Sequence, residues 1–218
     1  MHFLITAGPT REAIDPVRYL SNRSSGRMGY ALAEAARDAG REVTLISGPV
    51  SLAAPTGIML VKVESAREMF EAVQKHIASA DVAIFAAAVA DYRPVLQAEQ
   101  KIKKSAATLT LELERTEDIL GSTRSVLGFK GCLVGFAAET EKLIEHAQDK
   151  LVRKGCDLII ANDVSQPGIG FDSAENAITL CLPGGQTQSL PQQSKTALAS
   201  ELIQFITRLT ASSKTPHV

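Results

Sequence analysis

"HFLITAGPTREAIDPVRYLSNRSSGRMGYALAEAARDAG", residues 2–40, opens as the first unit of a nucleotide-binding sheet and then departs from that pattern. His2–Ala7 is an apolar run broken by Gly8, which reads as a buried strand. The residues from Ser24 onward read as a helix, with serines for an N-cap and Gly40 as its stop. Between strand and helix stands a long polar loop with Pro9, Pro16, Arg11, Arg18 and Arg23. A dinucleotide fold places a short G-x-G-x-x-G turn there. The loop is therefore expected to hold something itself.

The rest of the chain repeats the alternation of strand and helix. "REVTLIS" (41–47), "IMLVKVE" (58–64), "DVAIFAAAVA" (81–90), "CLVGFAAE" (132–139) and "DLIIAND" (157–163) read as strands. "LTLELER" (109–115) alternates, as a half-exposed or sheet-edge strand does. "SAREMFEAVQKHIASA" (65–80) is a helix with Met69, Phe70, Val73 and Ile77 on one face. "EDILGSTRSVL" (117–127) is a short helix. "TEKLIEHAQDKLVRKG" (140–155) is a helix with Leu143, Ile144, Ala147 and Leu151 inward, closed by Gly155. "ENAITLCLPGGQTQSLPQ" (175–192) reads as a hairpin around Gly184-Gly185. "SKTALASELIQFITRLTASS" (194–213) is the last helix. The expected fold is α/β: a Rossmann-like doubly wound, mostly parallel sheet with helices on both faces and a strand or hairpin extension. The expected organisation is one domain over 1–218, with a core at 1–212 and a frayed tail at 213–218.

With 218 residues and a formal charge of −1, the chain presents no global field that would attract nucleic acid or a membrane surface. An anionic ligand must be held by local cations. No apolar run reaches the roughly 18 residues of a membrane span. The N-terminus lacks a basic region and a long apolar region, so it reads as a strand and not as a signal peptide. Cys132, Cys156 and Cys181 form no C-x-x-C pair and read as reduced core fillers, which fits the cytoplasm. The histidines are scattered, and none sits at metal-ligand spacing.

Ligands in such sheets sit beyond the carboxyl ends of the strands. The polar segments that follow the strands are residues 8–29, 91–104 and "NDVSQPGIGF" (162–171), together with the helix that carries Lys150 and Lys154. Ser24, Ser25 and Gly26 stand where the free N–H groups of a helix start face an anion. Arg18 offers a planar fork for phosphate or carboxylate, and Asn22 a carboxamide that can donate and accept. Ala86, Ala87 and Ala88 let a flat ligand approach the backbone. Asp91, at a strand end, suits a ribose, a base or a metal ion. "KIKK" (101–104) is either a solvated charge run or a source of charge stabilisation in phosphoryl transfer. Lys150 and Lys154 are i,i+4 on one helix face, either solvated or clamping a triphosphate. Asp118 reads at its plainest as a charge in a helix's first turn.

Taken together, "ITAGPTREAIDPVRYLSNRSSGRMG", "AAVADYRP", "KIKK", "VGFAAET", "DLIIANDVSQPGIGF" and "NAITL" resemble the phosphopantothenoylcysteine synthetases, the phosphopantothenate–cysteine ligases of coenzyme A biosynthesis. The motifs run in order from about residue 3 to residue 210. The resemblance implies a homodimeric ligase that uses CTP with Mg²⁺ (or Mn²⁺). The carboxylate of 4′-phosphopantothenate attacks the α-phosphate and releases pyrophosphate. The amine of L-cysteine then displaces CMP from the acyl-cytidylate.

Carried over by motif, Lys101 is the catalytic cation, and Asn22 holds the intermediate. Arg18 reaches phosphopantothenate, and Ala87 and Ala88 line the substrate site. Ala86, Ala87, Asp91, Lys101, Asp118, Ile119, Leu120, Phe136, Lys150 and Lys154 serve the nucleotide. The metal ligands and the general base for cysteine stay unassigned. Arg27 stands where the family usually has lysine, and Thr116-Glu117 where it usually has Asn-Pro. No N-terminal flavin-dependent decarboxylase domain is expected within the chain, and such a decarboxylase is a candidate partner, separate or fused. An NAD(P)-dependent Rossmann oxidoreductase explains the sheet but not the missing glycine fingerprint or the lysine-rich loop. A non-catalytic regulatory subunit of the same fold explains neither Lys101 nor Asn22.

Overall fold

The computed structural model describes residues 1–104, 107–139, 141–163 and 175–213, with only the backbone of 163 and 213. In chain order the elements are β1 (His2–Ala7), β2 (Arg11–Ala13), β3 (Tyr19–Ser21), α1 (Arg27–Asp38), β4 (Glu42–Ser47), β5 (Met59–Lys62) and α2 (Ala66–His76). Then come β6 (Val82–Phe85), β7 (Tyr92–Pro94), β8 (Leu113–Arg115), α3 (Ile119–Ser125), β9 (Cys132–Glu139) and α4 (Leu143–Lys154). The chain closes with β10 (Leu158–Asp163), β11 (Glu175–Cys181), β12 (Thr187–Ser194) and α5 (Lys195–Ser213).

An 8-stranded sheet runs β12-β11-β10-β9-β6-β1-β4-β5. From β10 to β5 all pairings are parallel, whereas β11 and β12 are antiparallel additions at one edge. The Rossmann-like doubly wound sheet and its hairpin extension are as the sequence pattern implies. β1 shows why its sequence is continuously apolar. Phe3, Ile5 and Ala7 enter the core beneath α1 and α5, while Leu4 enters the core beneath α2 and α4. A central strand buried on both faces has no solvent side to alternate with.

Several expectations need correction. "DVAIFAAAVA" is a strand only as far as Phe85. Beyond it the neighbouring chain is Gly8, whose φ of 74° takes it out of extended backbone, so pairing resumes only as a single bridge between Pro9 and Ala88. Residues 86–90 run on beside residues 6–10 through looser bonds, Ala88 N–H to the Gly8 carbonyl at 2.9 Å and Ala90 N–H to Thr10 Oγ1 at 2.9 Å. "LTLELER" does not edge the main sheet. Its Leu113–Arg115 pairs with Tyr92–Pro94 in a separate ribbon, where Leu113 stays exposed. The alternation signalled half-exposure but could not name the partner strand.

Helix α1 is not capped by serine. Gly26 holds the cap position at φ 77° and makes no side-chain cap bond, while Ser24 Oγ accepts from Gly26 N–H at 3.3 Å. Ile144, in the first turn of α4, is exposed although it shares a face with the buried Ala147 and Leu151 further along the helix. Within the long first loop, β2 and β3 form a small hairpin that the sequence pattern did not announce. Of the expected polar segment 162–171 only Asn162 and the backbone of residue 163 are among the described residues, and of the tail 213–218 only the backbone of residue 213. No described helix is long and apolar enough to cross a membrane. The cysteines are free and buried, with Cys132 pushed up to about 11 and Cys156 to about 12 by burial, so they serve as core.

Candidate active site

A cavity of about 630 Å³ opens beyond the carboxyl ends of β1, β6, β9 and β10. Its walls come from the start of α1 (Ser24 to Gly29), the segment Phe85 to Val89, residues 115–120, the end of β9, and Lys150 and Lys154 of α4. Of the residues expected at the site, Ala86, Ala87, Ala88, Asp91, Asp118, Ile119, Leu120, Phe136, Lys150 and Lys154 all line it. The helix start, with Arg27 beside it, supplies N–H groups and positive charge at one wall. Two glycines let α1 sit there. Gly26 adopts a left-handed φ, and a Cβ on Gly29 would lie 2.5 Å from Ala7 Cβ of β1.

The lysines on the opposite wall differ from one another. Lys150 is largely buried, and its ammonium donates to the Phe136 carbonyl at 2.7 Å. Burial pushes its pKa below the usual lysine range, with nearby Glu139 opposing. Lys154 pairs with Asp118. Asp118 also caps α3, accepting from Gly121 N–H at 3.0 Å. Burial alone would raise its carboxyl, but the Lys154 ammonium and the Gly121 N–H more than reverse that, so it ionises below the usual range. Asp91 is exposed at the cavity wall, and its carboxylate makes no bond among the described residues. Its backbone carbonyl accepts from Thr116 N–H at 3.0 Å.

Thr116 and Glu117, standing where Asn-Pro was expected, are built into the wall. Thr116 Oγ1 donates to the Ala90 carbonyl at 2.5 Å. Glu117 accepts twice from Arg93 Nη1, at 3.0 and 3.1 Å, and Arg93 Nε also donates to Glu114. Sequence reasoning passed over Tyr92, Arg115, Asn162, Asn176 and Lys195, which also line the cavity. Asn162 sits at the carboxyl end of β10, a position that could have drawn attention to it. Its Oδ1 is buried with no hydrogen-bond partner among the described residues.

Arg18, Asn22 and Lys101 do not line this cavity. Asn22 stands just behind its wall, where Nδ2 donates to the Ala88 and Val89 carbonyls at 3.0 and 3.1 Å. Arg18 turns the Nε and Nη2 edge of its guanidinium onto Asp15, at 3.0 and 2.6 Å. Lys101 is exposed in a loop that rests on the β2–β3 hairpin rather than on the cavity. The hairpin ties these elements to the sheet. Glu12 Oε1 accepts from Ala66 N–H at the start of α2 at 2.8 Å, and Arg11 N–H donates to the Glu64 carbonyl at 2.8 Å.

Among the described residues no group of three or more histidines, cysteines or carboxylates is placed to enclose a metal. A magnesium ion needs no such cage. It commonly takes one or two carboxylates and completes its shell with water and substrate phosphates. The unengaged carboxylate of Asp91 at the cavity wall fits that mode.

Residues 1–209 match the family described as the DNA/pantothenate metabolism flavoprotein C-terminal domain. The chain is 53% identical over 205 residues to the coenzyme A biosynthesis bifunctional protein CoaBC of Vibrio cholerae, covering 93% of this chain and 51% of that protein. It thus spans about half the length of such curated relatives. The crystal structure of the C-terminal domain of a CoaBC protein superposes with a TM-score of 0.82 at 42% identity, covering 97% of this chain and 96% of that one. The DNA/pantothenate metabolism flavoprotein from Streptococcus pneumoniae gives a TM-score of 0.82 at 26% identity, over 95% and 99% of the two chains. With the match running through the strands, the cavity wall and the hairpin alike, this chain belongs to the DNA/pantothenate metabolism flavoprotein C-terminal domain family.

Proposed function

We propose that the chain is a phosphopantothenate–cysteine ligase that joins 4′-phosphopantothenate to L-cysteine at the expense of CTP, in coenzyme A biosynthesis. The observation that carries this reading is the cavity itself. The start of α1, Arg27, Lys150 and Lys154 bring positive charge to its walls beside the carboxylates of Asp91, Glu117 and Asp118, while the Ala86–Val89 wall is small enough for a flat base or ribose to lie against. The relatedness to CoaBC proteins along nearly the whole chain supports the substrate class.

In this reading the triphosphate lies between the α1 start and the α4 lysines. Preorganised N–H groups and cations there offset the charge that develops as pyrophosphate leaves. Asp91 would hold Mg²⁺ (or Mn²⁺) against the phosphates, where the ion supplies Lewis-acid polarisation of phosphoryl oxygens. Lys101 acts on the α-phosphate, and Arg18 meets phosphopantothenate with the part of its guanidinium that Asp15 leaves open. Asn22, tied to the Ala88 and Val89 carbonyls, keeps the arm against the wall where the acyl-cytidylate forms. Water excluded from that cleft cannot hydrolyse the mixed anhydride before the cysteine amine attacks.

A homodimer is part of the reading. The hairpin and the β7–β8 ribbon carry exposed Val17, Tyr19, Tyr92, Val95, Leu96 and Leu113, an apolar surface suited to a second copy. A neighbouring copy would also bring Lys101 and Arg18 to a cavity they do not reach within their own chain. The reading also places the chain in the cytoplasm beside a flavin-dependent decarboxylase that consumes its product, fused or separate.

The test is pyrophosphate release from CTP that depends on 4′-phosphopantothenate, followed by CMP release that depends on cysteine. Release with neither substrate pairing, together with binding of NADPH, would overturn it. Parallel assays with ATP decide the nucleotide.

A further inference from the structure

Asp15 is the most heavily bonded carboxylate among the described residues, yet it lies outside the cavity and no role has been given to it. Its side chain is fully buried. Oδ1 accepts from Val17 N–H and Arg18 N–H, both at 2.9 Å. Oδ2 accepts from Arg18 Nε at 3.0 Å, Arg18 Nη2 at 2.6 Å and Ile102 N–H at 3.1 Å. Arg18 Nη2 then donates to the Ile102 carbonyl at 3.1 Å.

Both backbone polar groups of Ile102, the residue after Lys101, are thus held by an ion pair 84 to 87 positions earlier in the chain. A third tie joins the same two segments, from Ala98 N–H to the Ile14 carbonyl at 3.0 Å. The turn that presents Asp15 is closed by Ile14 N–H and Asp15 N–H on the Arg18 carbonyl, at 2.8 and 3.3 Å. The Lys101 loop has no secondary structure of its own, so these bonds are what fix it.

We propose that Asp15, with Arg18, is a positioning clasp that sets where the Lys101 ammonium stands, so that the first-strand arm controls the lysine loop. Because the same hairpin carries Asn22 to the Ala88–Val89 wall, it couples the lysine loop to the cavity wall through one small rigid body. Asp15 acts through Lys101 and touches no substrate. A charge-assisted clasp of this kind is stronger than neutral loop contacts, and removing its buried acceptor leaves several N–H groups unpaired at once. The inference about catalysis rests on the ligase reading, whereas the clasp itself does not.

The experiment compares wild type, Asp15→Asn, Arg18→Gln, Lys101→Gln and the double variant Asp15→Asn with Lys101→Gln. Hydrogen exchange of the peptide spanning residues 98–104 reads the clasp directly. Exchange in Asp15→Asn is expected to speed up about tenfold or more in that peptide, and peptides of the central sheet are expected to stay as in wild type. Pyrophosphate release is expected to fall about tenfold in kcat, with the KM for CTP within about twofold. In the Lys101→Gln background, Asp15→Asn is expected to cost nothing further in kcat at saturating 4′-phosphopantothenate, where a change in Arg18's hold on that substrate is masked and a group acting through Lys101 has nothing left to position.

If Asp15→Asn does not fold, Arg18→Gln decides. It loses the Ile102 carbonyl bond while the backbone donors to Asp15 remain, and its loop exchange is expected to rise as well. Unchanged exchange at 98–104 would overturn the proposal, as would faster exchange throughout the protein, or a full additive loss in the double variant. If wild type shows no CTP-dependent release, the ligase reading falls and the exchange arm alone decides the clasp.

Discussion

Lys150 donates its ammonium to the carbonyl of Phe136 at 2.7 Å, inside a wall that largely removes it from water. A buried ammonium is costly unless it is paired, and a single carbonyl is a weak partner for a full charge. The free protein therefore bears a cost that a bound polyphosphate would offset. Lys150→Met is expected to raise the stability of the ligand-free protein by on the order of 1 kcal/mol at pH 7 while weakening CTP binding. The sign follows from its lowered pKa. Charging is penalised in the folded state below that pKa, and the penalty fades as pH rises through it toward the unfolded value. The advantage of Lys150→Met in thermal unfolding is thus expected to shrink between neutral pH and about pH 10, near the ordinary lysine value. An unchanged midpoint with unchanged CTP affinity would show Lys150 to be a bystander.

Asp118 and Lys154 give the opposite sign. Asp118 ionises below its usual range in the fold, so its pairing contributes stability above the unfolded carboxylate value near pH 3.8 and loses it as pH falls through the lower folded value. The Asp118 side chain is 55% exposed, so solvent screening limits the effect to roughly 0.5 kcal/mol. Thermal midpoints of wild type and Asp118→Asn are expected to differ at pH 7 and to converge as the pH is lowered below about 3.8. The same substitution releases Lys154 toward the cavity. Tighter CTP binding at low salt, measured by calorimetry, is the expected companion result.

The contrast between these two lysines shows what could be read before the fold was known. Their i,i+4 spacing was enough to put both on one face of α4, and the strand–helix alternation was enough to put that face at the carboxyl edge of the sheet. What separates them is non-local. Lys150 meets a β9 carbonyl and Lys154 meets an aspartate 36 positions away, and no periodicity encodes either encounter. The same limit applies to Arg18. Its character as an anion fork was legible in isolation, but its commitment to Asp15 depends on a hairpin turn that neither Asn-Gly nor Asp-Gly marks. The Ala86–Ala88 wall was read as strand because small apolar residues suit both uses; only the left-handed Gly8 in the facing chain, at φ 74°, breaks the ladder there.

Gly29 is where packing and function meet most tightly. A methyl group there would lie 2.5 Å from Ala7 Cβ and 3.1 Å from the Thr6 carbonyl oxygen, so α1 would have to move off β1. Overpacking of this kind costs about 1–3 kcal/mol. Because residues 24 to 29 form one wall of the cavity, the displaced helix would carry its N–H groups away from the proposed triphosphate position. Gly29→Ala is expected to lower the thermal midpoint and to raise the KM for CTP more than it lowers kcat. A stability loss with unchanged KM would show that the α1 start does not meet the triphosphate.

Asn22 and Lys101 separate the two steps of the proposed reaction. Asn22 Nδ2 donates to the carbonyls of Ala88 and Val89, so Asn22→Asp replaces a donor with a carboxylate facing two acceptors. The arm is pushed off the wall, the cleft opens to water, and the acyl-cytidylate is expected to leak before cysteine attacks. Lys101→Gln instead removes a cation from the exposed loop without touching any described bond, so its fold is expected to stay intact. Loss of one charge-stabilising group typically costs about 10²–10³ in rate. The expected pattern is slow pyrophosphate release in Lys101→Gln. In Asn22→Asp, pyrophosphate release persists, with acyl-cytidylate or free CMP accumulating in excess of amide product. Quenched-flow assays with mass spectrometry of the intermediate distinguish the two. If Asn22→Asp retained the intermediate as wild type does, the arm would be a structural brace alone. If Lys101→Gln kept normal pyrophosphate release, the lysine loop would have no part in the first step.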